Sequence, residues 1–314
     1  MSKWKKLSQL FTDPSYRFQI FASNGLYNWL SDEEYLRRKY YAKLHKELNL
    51  NNPQTFSEKI QWLKLYDRKP IYTTMVDKYE VKEYVASVVG KEHVIPTFGV
   101  WEHFDDIDFK SLPDSFVLKC THDSGGNVII QDKNQLKKKE ARKRINNSLK
   151  RNYYLQGREW PYKTVRPRII AEQYLVDKTI NDLSMANNAS GLLDYKFYCF
   201  NGEPRFLYVG FANIQDGVKH DLLSFFDFDW QPTPFYRRDH DPLPFALEKP
   251  DNLDEMLDIA TKLSKDIPFV RVDLYNIDGR ILFSEMTFAP GSGFGPFYPE
   301  EWERKLGDWI ELPR

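Results

Sequence analysis

Cysteine is scarce in this chain. The 314 residues hold two, Cys120 and Cys199, each inside a strand-like run, SFVLKC and YKFYCF. That excludes a disulfide framework and points to buried free thiols in a reducing compartment. Long apolar runs are absent too, since none approaches the roughly 18 residues that span a bilayer. The charged start MSKWKK leads into FTDPSYRFQIF and not into the unbroken apolar core of a signal peptide. A cytoplasmic location is expected. Net charge is also missing: Lys+Arg 45 balance Asp+Glu 45, so there is no general field for nucleic acid or anionic lipid, and no nucleic-acid partner is expected. Any charge effect must be local. Internal repeats and low-complexity linkers are not found.

What is present is apolar and aromatic mass. At 41% hydrophobic and 16% aromatic, the chain can bury a large core in one large or two moderate domains. Residues 1–70 read as a helical extension. SDEEYLRRKYYAKLHKEL opens with Ser31 as a cap, and Tyr35, Leu36, Tyr40 and Leu44 recur at helical spacing. Thr55 and Glu58 have capping-box spacing, with Ile60, Trp62 and Leu63 facing inward. The start around Trp4, Lys5 and Lys6 could touch a membrane surface, but an ordinary packing helix is the preferred reading. After Pro70 the pattern becomes mixed over 71–171 and strand-rich over 172–314, which predicts two lobes of an α+β fold. The run NQLKKKEARKRINNSLKR alternates its charges with Leu136, Ala141, Ile145 and Leu149, and so reads as a solvated helix face.

Two acids sit in mostly apolar strands around a DG turn, Asp273 in VRVDLY and Glu285 in ILFSEMTF. Burying them costs free energy unless a cation lies between them. A two-residue Asp-Gly turn pairs Val272 with Glu285 and sends the acids to opposite faces. A three-residue loop over Ile277, Asp278 and Gly279 instead pairs Arg271 with Glu285. That register puts Arg271, Asp273, Phe283, Glu285 and Thr287 on one face; a β-bulge could also restore the parity. Two carboxylates beside a cation suit Mg²⁺ holding a triphosphate, because Mg²⁺ takes few protein carboxylates and completes its shell with phosphate and water.

A second constellation is FVLKCTHDSGGNVII. A strand ends near Lys119, a Thr-His-Asp-Ser-Gly-Gly loop follows, and Val128 starts another strand. Adjacent glycines let backbone N–H groups approach phosphate oxygens while a lysine adds a point charge. This is not a P-loop, which would run GxxxxGK[ST] into a helix.

The order of VDK, FVLK with SGG, IIAEQYL, VRVD and SEMTFAPG resembles an ATP-grasp enzyme. The wording TFSEKIQWLKLYDRKP, DKYEV, LPDSFVLK, DYKFYCFNG and FSEMTFAPGSG resembles, more narrowly, the TupA-like ATP-grasp family of teichuronopeptide biosynthesis, from about residue 50 to the end. The resemblance implies two α+β lobes holding ATP between them. It also implies an ATP- and Mg²⁺-dependent carboxylate–amine ligase of bacterial surface or capsular polysaccharide synthesis. Its partners would be a small-molecule or saccharide carboxylate and an amine acceptor, and it could associate peripherally with membrane-bound polysaccharide machinery. On these positions, Lys78 and Lys119 would contact the ATP phosphates and Ser124, Gly125 and Gly126 would close over them. Glu172 with the backbone of Gln173 and Leu175 would meet adenine, and Asp194 the ribose. Asp273 and Glu285 would bind Mg²⁺, with Thr287 where the commonest pattern has an Asn ligand, and Arg271 would face the transferred phosphoryl group. Among basic side chains able to hold an anionic substrate are His122 and Arg205, with Arg166, Arg168, Arg237, Arg238 and His240 as further candidates. The alternative is a nucleotide-sugar glycosyltransferase, for which DFD (Asp227, Asp229) and DHD (Asp239, Asp241) have metal-binding spacing.

Overall fold

A computed structural model describes residues 3–177, 192–215 and 218–313 of the chain. The chain opens with α1 (Lys3–Thr12) and α2 (Pro14–Ser23), then α3 (Asp32–Leu44), capped by Ser31, and α4 (Phe56–Tyr66). The capping box at α4 is complete. Glu58 N–H donates to Thr55 Oγ1 at 3.2 Å and Thr55 N–H donates to the Glu58 carboxylate at 3.0 Å, a pairing that contributes about 1 kcal/mol. α3 buries Tyr35, Leu36 and Tyr40 against Phe18 and Ala22 of α2.

Next come α5 (Ile71–Val76), α6 (Val81–Val88), β1 (Thr97–Trp101), β2 (Phe116–Cys120), β3 (Val128–Ile130), α7 (Lys138–Leu149), α8 (Tyr154–Gly157) and β4 (Ile169–Gln173). Among the described residues the strands of this part form a four-stranded antiparallel sheet in the order β1, β4, β2, β3. α7 lays Ala141 and Ile145 onto Phe116 and Leu118. Its lysines and arginines stay on the outer face, as the alternation predicts.

The remainder runs β5 (Asp194–Phe200), β6 (Glu203–Gln215), β7 (Val218–Phe226), β8 (Tyr236–Arg237), α9 (Leu253–Ser264), β9 (Phe269–Ile277), β10 (Arg280–Thr287), β11 (Phe297–Tyr298) and α10 (Glu301–Asp308). Five of these strands pair antiparallel in the order β10, β9, β5, β6, β7. Both faces of this sheet are covered, which is why β5 and β9 read as nearly continuous apolar runs. One face packs Phe197, Cys199, Val270, Val272 and Leu274 under Met256, Ile259 and Leu263 of α9. The other presents Tyr198, Phe200, Phe206, Phe225 and Phe269 to Phe56 and Ile60 of α4 and to Phe297. Both cysteines are buried and free.

The β9–β10 connection corrects the loop expected from the sequence. Asp278 (φ 50°) and Gly279 (φ 81°) make a two-residue turn and Ile277 pairs with Arg280, because two successive left-handed residues match the twist of the strands. Parity is restored further on. A β-bulge between Phe283 and Glu285 shifts the register, so that Asp273 lies opposite Glu285 and Arg271 opposite Thr287. Phe283, expected beside the acids, pairs with Leu274 and faces the α9 core instead.

α4 is therefore part of the second sheet's core. The Phe56 ring meets Phe269 edge-on at 5.0 Å and Phe297 at 5.5 Å. Phe56→Ala is expected to lower stability by about 3–5 kcal/mol through the lost burial and the cavity it leaves. Urea unfolding followed by fluorescence measures it; a loss below 1 kcal/mol would show that α4 merely decorates the sheet.

Candidate active site

On the aromatic face of the second sheet, two adjacent rungs change from apolar to charged. Tyr208, Lys196, Asp273 and Glu285 lie directly across from one another on β6, β5, β9 and β10. In the next rung Phe206, Tyr198, Arg271 and Thr287 are aligned the same way. Side chains two residues apart on a strand share a face, so this patch continues the layer formed by Phe200 and Phe269.

Asp273 is fully buried and gripped from two sides. Arg271 donates to it in a fork, Nε to Oδ1 and Nη2 to Oδ2, both at 2.6 Å. Lys196 reaches Oδ2 at 2.5 Å and also pairs with Asp194. The remaining Arg271 donors go to Tyr208 Oη at 3.3 Å, Glu285 Oε1 at 3.3 Å and Thr287 Oγ1 at 3.0 Å. Burial pushes the Asp273 carboxyl up to about 6 against the pull of Arg271 and Lys196, which still leaves it charged at neutral pH. Glu285 differs. Its side chain is 41% exposed. Burial would raise its carboxyl, but Lys196, Arg271, Lys78 and Lys119 hold it down at about 2. The site thus presents one reachable anion ringed by four cations.

The first sheet supplies a second ion cluster. Glu172 on β4 is buried between Lys82 Nζ at 2.7 Å and Lys119 Nζ at 2.6 Å. Burial works against its ionisation, yet the two lysines lower its carboxyl below the ordinary range. Lys119 is raised in turn, the Glu172 charge outweighing burial.

The loop after β2 is tied to the body at several points. The Lys78 N–H donates to Thr121 O at 3.1 Å and its ammonium donates to Asp123 O. Asp123 accepts from Ser148 Oγ, and Thr121 Oγ1 donates to Arg166 O at 3.0 Å. Gly125 sits at φ +85° with open space where a Cβ would be, while a Cβ on Gly126 would lie 2.1 Å from Ser148 Oγ. Ser124 and Gly125 are exposed, so the tip of the loop is free to meet a ligand.

These positions refine the residues expected from the sequence. Lys78, Lys119 and Glu285 belong to one electrostatic neighbourhood. Asp194, expected to take the ribose, holds Lys196 at the buried rung through Oδ2, while its Oδ1 has no hydrogen-bond partner among the described residues. The Gln173 N–H is spent on Pro96 O at 3.0 Å, and the Glu172 carboxylate lies between two lysines. Leu175 packs on Ile95, Ile277 and Leu282. His122 is buried with Nε2 against Arg151 O at 3.1 Å, which anchors the loop. Arg205, next to Phe206 on β6, pairs with Glu203 at 2.8 Å.

The remaining basic candidates have partners too. Arg166 is on Glu102, Arg168 on Asp77 and Glu80, Arg237 on Asp239 with His240 near it, and Arg238 lies over the Tyr298 ring at 3.7 Å.

Sequence reasoning missed Lys196 and Lys82. The signal for Lys196 was there, a lone cation in DYKFYCF, the same anomaly that marks Asp273. It also missed Tyr153, Glu159 and Tyr162. Glu159 is buried, with Ser292 Oγ donating to it at 2.8 Å, and both tyrosines are raised by burial and by the Glu159 and Glu285 charges. A groove of about 900 Å³ between α6 and β1 touches Lys82 but neither rung. The converging charges, not the groove, mark the chemistry.

The donor set suits Mg²⁺ in kind. Asp273 and Glu285 offer two opposed carboxylates, and Thr287 Oγ1 lies 3.4 Å from Glu285 Oε1. Among the described residues no three His, Cys, Asp or Glu side chains gather into a protein-only cage. An ion here would need phosphate and water to complete its shell.

Two antiparallel sheets, one of them carrying two charged rungs on one face, make an α+β architecture. The chain belongs to the TupA-like ATP-grasp family, whose model matches residues 58–311. No curated protein matches it. Among solved structures, D-alanine–D-alanine ligase from Helicobacter pylori is 12% identical, with 83% of this chain and 68% of that one covered at a TM-score of 0.42. D-alanine–D-alanine ligase from Bacillus anthracis complexed with ATP is 13% identical over 68% of this chain and 55% of that one, TM-score 0.38. Phosphoribosylamine–glycine ligase from Thermotoga maritima is 10% identical over 71% and 51%, TM-score 0.38. The chain thus spans between about half and about two thirds of the lengths of these structures.

Replacing Glu172 with Gln strands Lys82 and Lys119, whose side chains are 13% and 20% exposed, and is expected to cost about 3 kcal/mol. The folded carboxyl lies below its unfolded value of about 4.3, so its contribution is complete above that pH and is lost as pH falls through the lower folded value. Wild type should therefore lose more melting temperature than Glu172→Gln between about pH 6 and about pH 3. Parallel melting curves would mean that Glu172 does not hold the two lysines.

Proposed function

We propose that this ATP-grasp enzyme is an ATP- and Mg²⁺-dependent carboxylate–amine ligase. The observation that carries the reading is the pair of charged rungs, where Arg271 and Lys196 converge on Asp273 beside the exposed Glu285. Buried fixed charge of this kind suits a reaction whose demand is to position and neutralise a moving phosphoryl group. Lys78, Lys119 and the Ser124–Gly126 tip would receive the ATP phosphates, and Arg271 with Lys196 the transferred group. Asp273 and Glu285 would hold Mg²⁺, which when bound neutralises and orients the phosphates. A substrate carboxylate oxygen attacks the γ-phosphorus and ADP leaves. The amine nitrogen then attacks the acyl carbon, phosphate leaves, and the nitrogen gives up a proton. Tyr153 and Tyr162, whose hydroxyls feel the Glu159 and Glu285 charges, would face the acceptor.

The family wording favours a substrate pair from bacterial surface polysaccharide, such as a uronic acid joined to an amino acid or amino sugar. The glycosyltransferase alternative gains nothing from its triplets. Asp227 accepts the Gln231 N–H at 2.8 Å inside a turn, and Asp239 is gripped by Arg237.

ATP or ADP with Mg²⁺ should raise the melting temperature by mass action, and Lys119→Ala should shrink that shift. Glu285→Gln should lower ADP release with a carboxylate substrate by roughly two to three orders of magnitude while leaving the apo melting curve in place. Stabilisation by UDP-sugars and not by adenine nucleotides would transfer the protein to the glycosyltransferase class. Unchanged turnover in Glu285→Gln would remove that carboxylate from the site.

A further inference from the structure

The sequence favours an ordinary packing role for α1, and the structure reverses its amphipathicity. Among the described residues, the three most exposed large apolar side chains are Trp4 at 82%, Trp29 at 76% and Phe11 at 74%. All three fall in the first thirty residues. Trp4, Ser8 and Phe11 follow i, i+4, i+7 spacing and so share one face of α1, which is turned outward; Gln9 and Leu10 on the inner side are only half-buried. A helix packing on a soluble core does the opposite. The orientation of α1 is fixed by its junction with α2. Arg17 donates to the carbonyls of Leu10 at 3.4 Å and Phe11 at 3.3 Å, and Asp13 caps α2 by accepting from the Ser15 and Tyr16 N–H groups.

Charge says what would cover this face. Within residues 1–30 the chain has four cationic residues and a single acid, although its overall charge is zero. Arg17 and the acid, Asp13, are both engaged at the α1–α2 junction, and the other three cations of this stretch, Lys3, Lys5 and Lys6, flank Trp4 in sequence. A second copy of the chain would bring the same excess of positive charge to this segment, which disfavours self-docking. Aromatic side chains interleaved with lysine on one exposed helix suit the boundary between lipid headgroups and acyl chains.

We propose that the α1–α2 segment docks on an anionic lipid bilayer surface, with Trp4 and Phe11 entering the headgroup boundary and the lysines of α1 supplying the attraction to lipid phosphate. The inference is independent of the ligase reading, since none of these residues belongs to the charged rungs.

The test is co-sedimentation of the full chain with phosphatidylcholine vesicles, with and without phosphatidylglycerol. Wild type should partition onto the anionic vesicles and be released by salt. The Trp4→Glu/Phe11→Glu and Lys5→Glu/Lys6→Glu variants should each lose at least about tenfold in partitioning. Trp4 and Phe11 are exposed and none of the four positions belongs to the charged rungs, so both variants should keep the wild-type melting curve and the ATP-induced thermal shift. Absence of that shift in wild type would count against the ligase reading alone. Failure to bind anionic vesicles, equal binding to pure phosphatidylcholine, or variants that partition like wild type would overturn the proposal. So would a concentration-dependent dimer, formed without lipid and abolished by Trp4→Glu/Phe11→Glu, which would give the face to a second copy.

Discussion

The buried carboxylate of Asp273 is the constraint around which the second half of the chain is organised. An unpaired ion at that depth would cost several kcal/mol, so its two cations have to arrive in register from its own strand and its neighbour. Arg271 does so by sitting two residues back on β9, and Lys196 by lying directly across on β5. The bulge before Glu285 follows from the same demand. A regular ladder after the Asp278–Gly279 turn would point Glu285 into the apolar α9 core, where no cation waits. One extra residue in β10 turns Glu285 out and leaves Phe283 in the core that suits it.

The rungs are rigid because of what lies beneath them. Tyr198, Phe206, Phe225, Phe269 and Phe297 pack as a continuous aromatic layer, with Phe56 of α4 closing it. Rings are wide and lose few rotamers on burial, so they fix the strand to which Arg271 is attached. The first sheet is held differently. Its central strand β4 carries Glu172 between two lysines, and its loop hangs on Lys78, Ser148 and the Arg166 carbonyl. A framework of hydrogen bonds around an exposed glycine tip allows movement that the aromatic layer does not. The contrast suits a site in which one side fixes charge and the other folds over a ligand.

The parts legible in the sequence were those decided locally. Ser31 and Thr55 mark helix starts because a cap needs only the next three residues. Asp273 and Glu285 stood out because an acid in an apolar strand demands a partner wherever the strand goes. The turn beside them was misjudged, since the Asp-Gly pair fixes the turn whereas the bulge is set by packing on α9, which no short window contains. Lys196 was overlooked because its partner is seventy-seven residues away on a strand whose pairing only the folded sheet reveals. The protein partners of His122 and Gln173, Arg151 O and Pro96 O, were hidden for a related reason, since only the folded chain brings them together.

The same pairing bears on how such a site can take a polyanion while its buried charges stay balanced. Asp273 and Arg271 neutralise one another across two bonds of 2.6 Å. Their pairing does not have to be lost when a polyanion arrives. Arg271 still has donors directed at Glu285, Thr287 and Tyr208, longer contacts of 3.0–3.3 Å that can be exchanged for phosphate oxygens at little cost. Lys196 likewise keeps one partner, Asp194, if the other turns to a ligand. On the ligase reading, the second acid beside each cation is what lets the protein surrender a contact during phosphoryl transfer while every buried charge remains balanced. That explains why Asp194 and Thr287, neither of which needs to touch substrate, occupy strand positions facing the reacting centre.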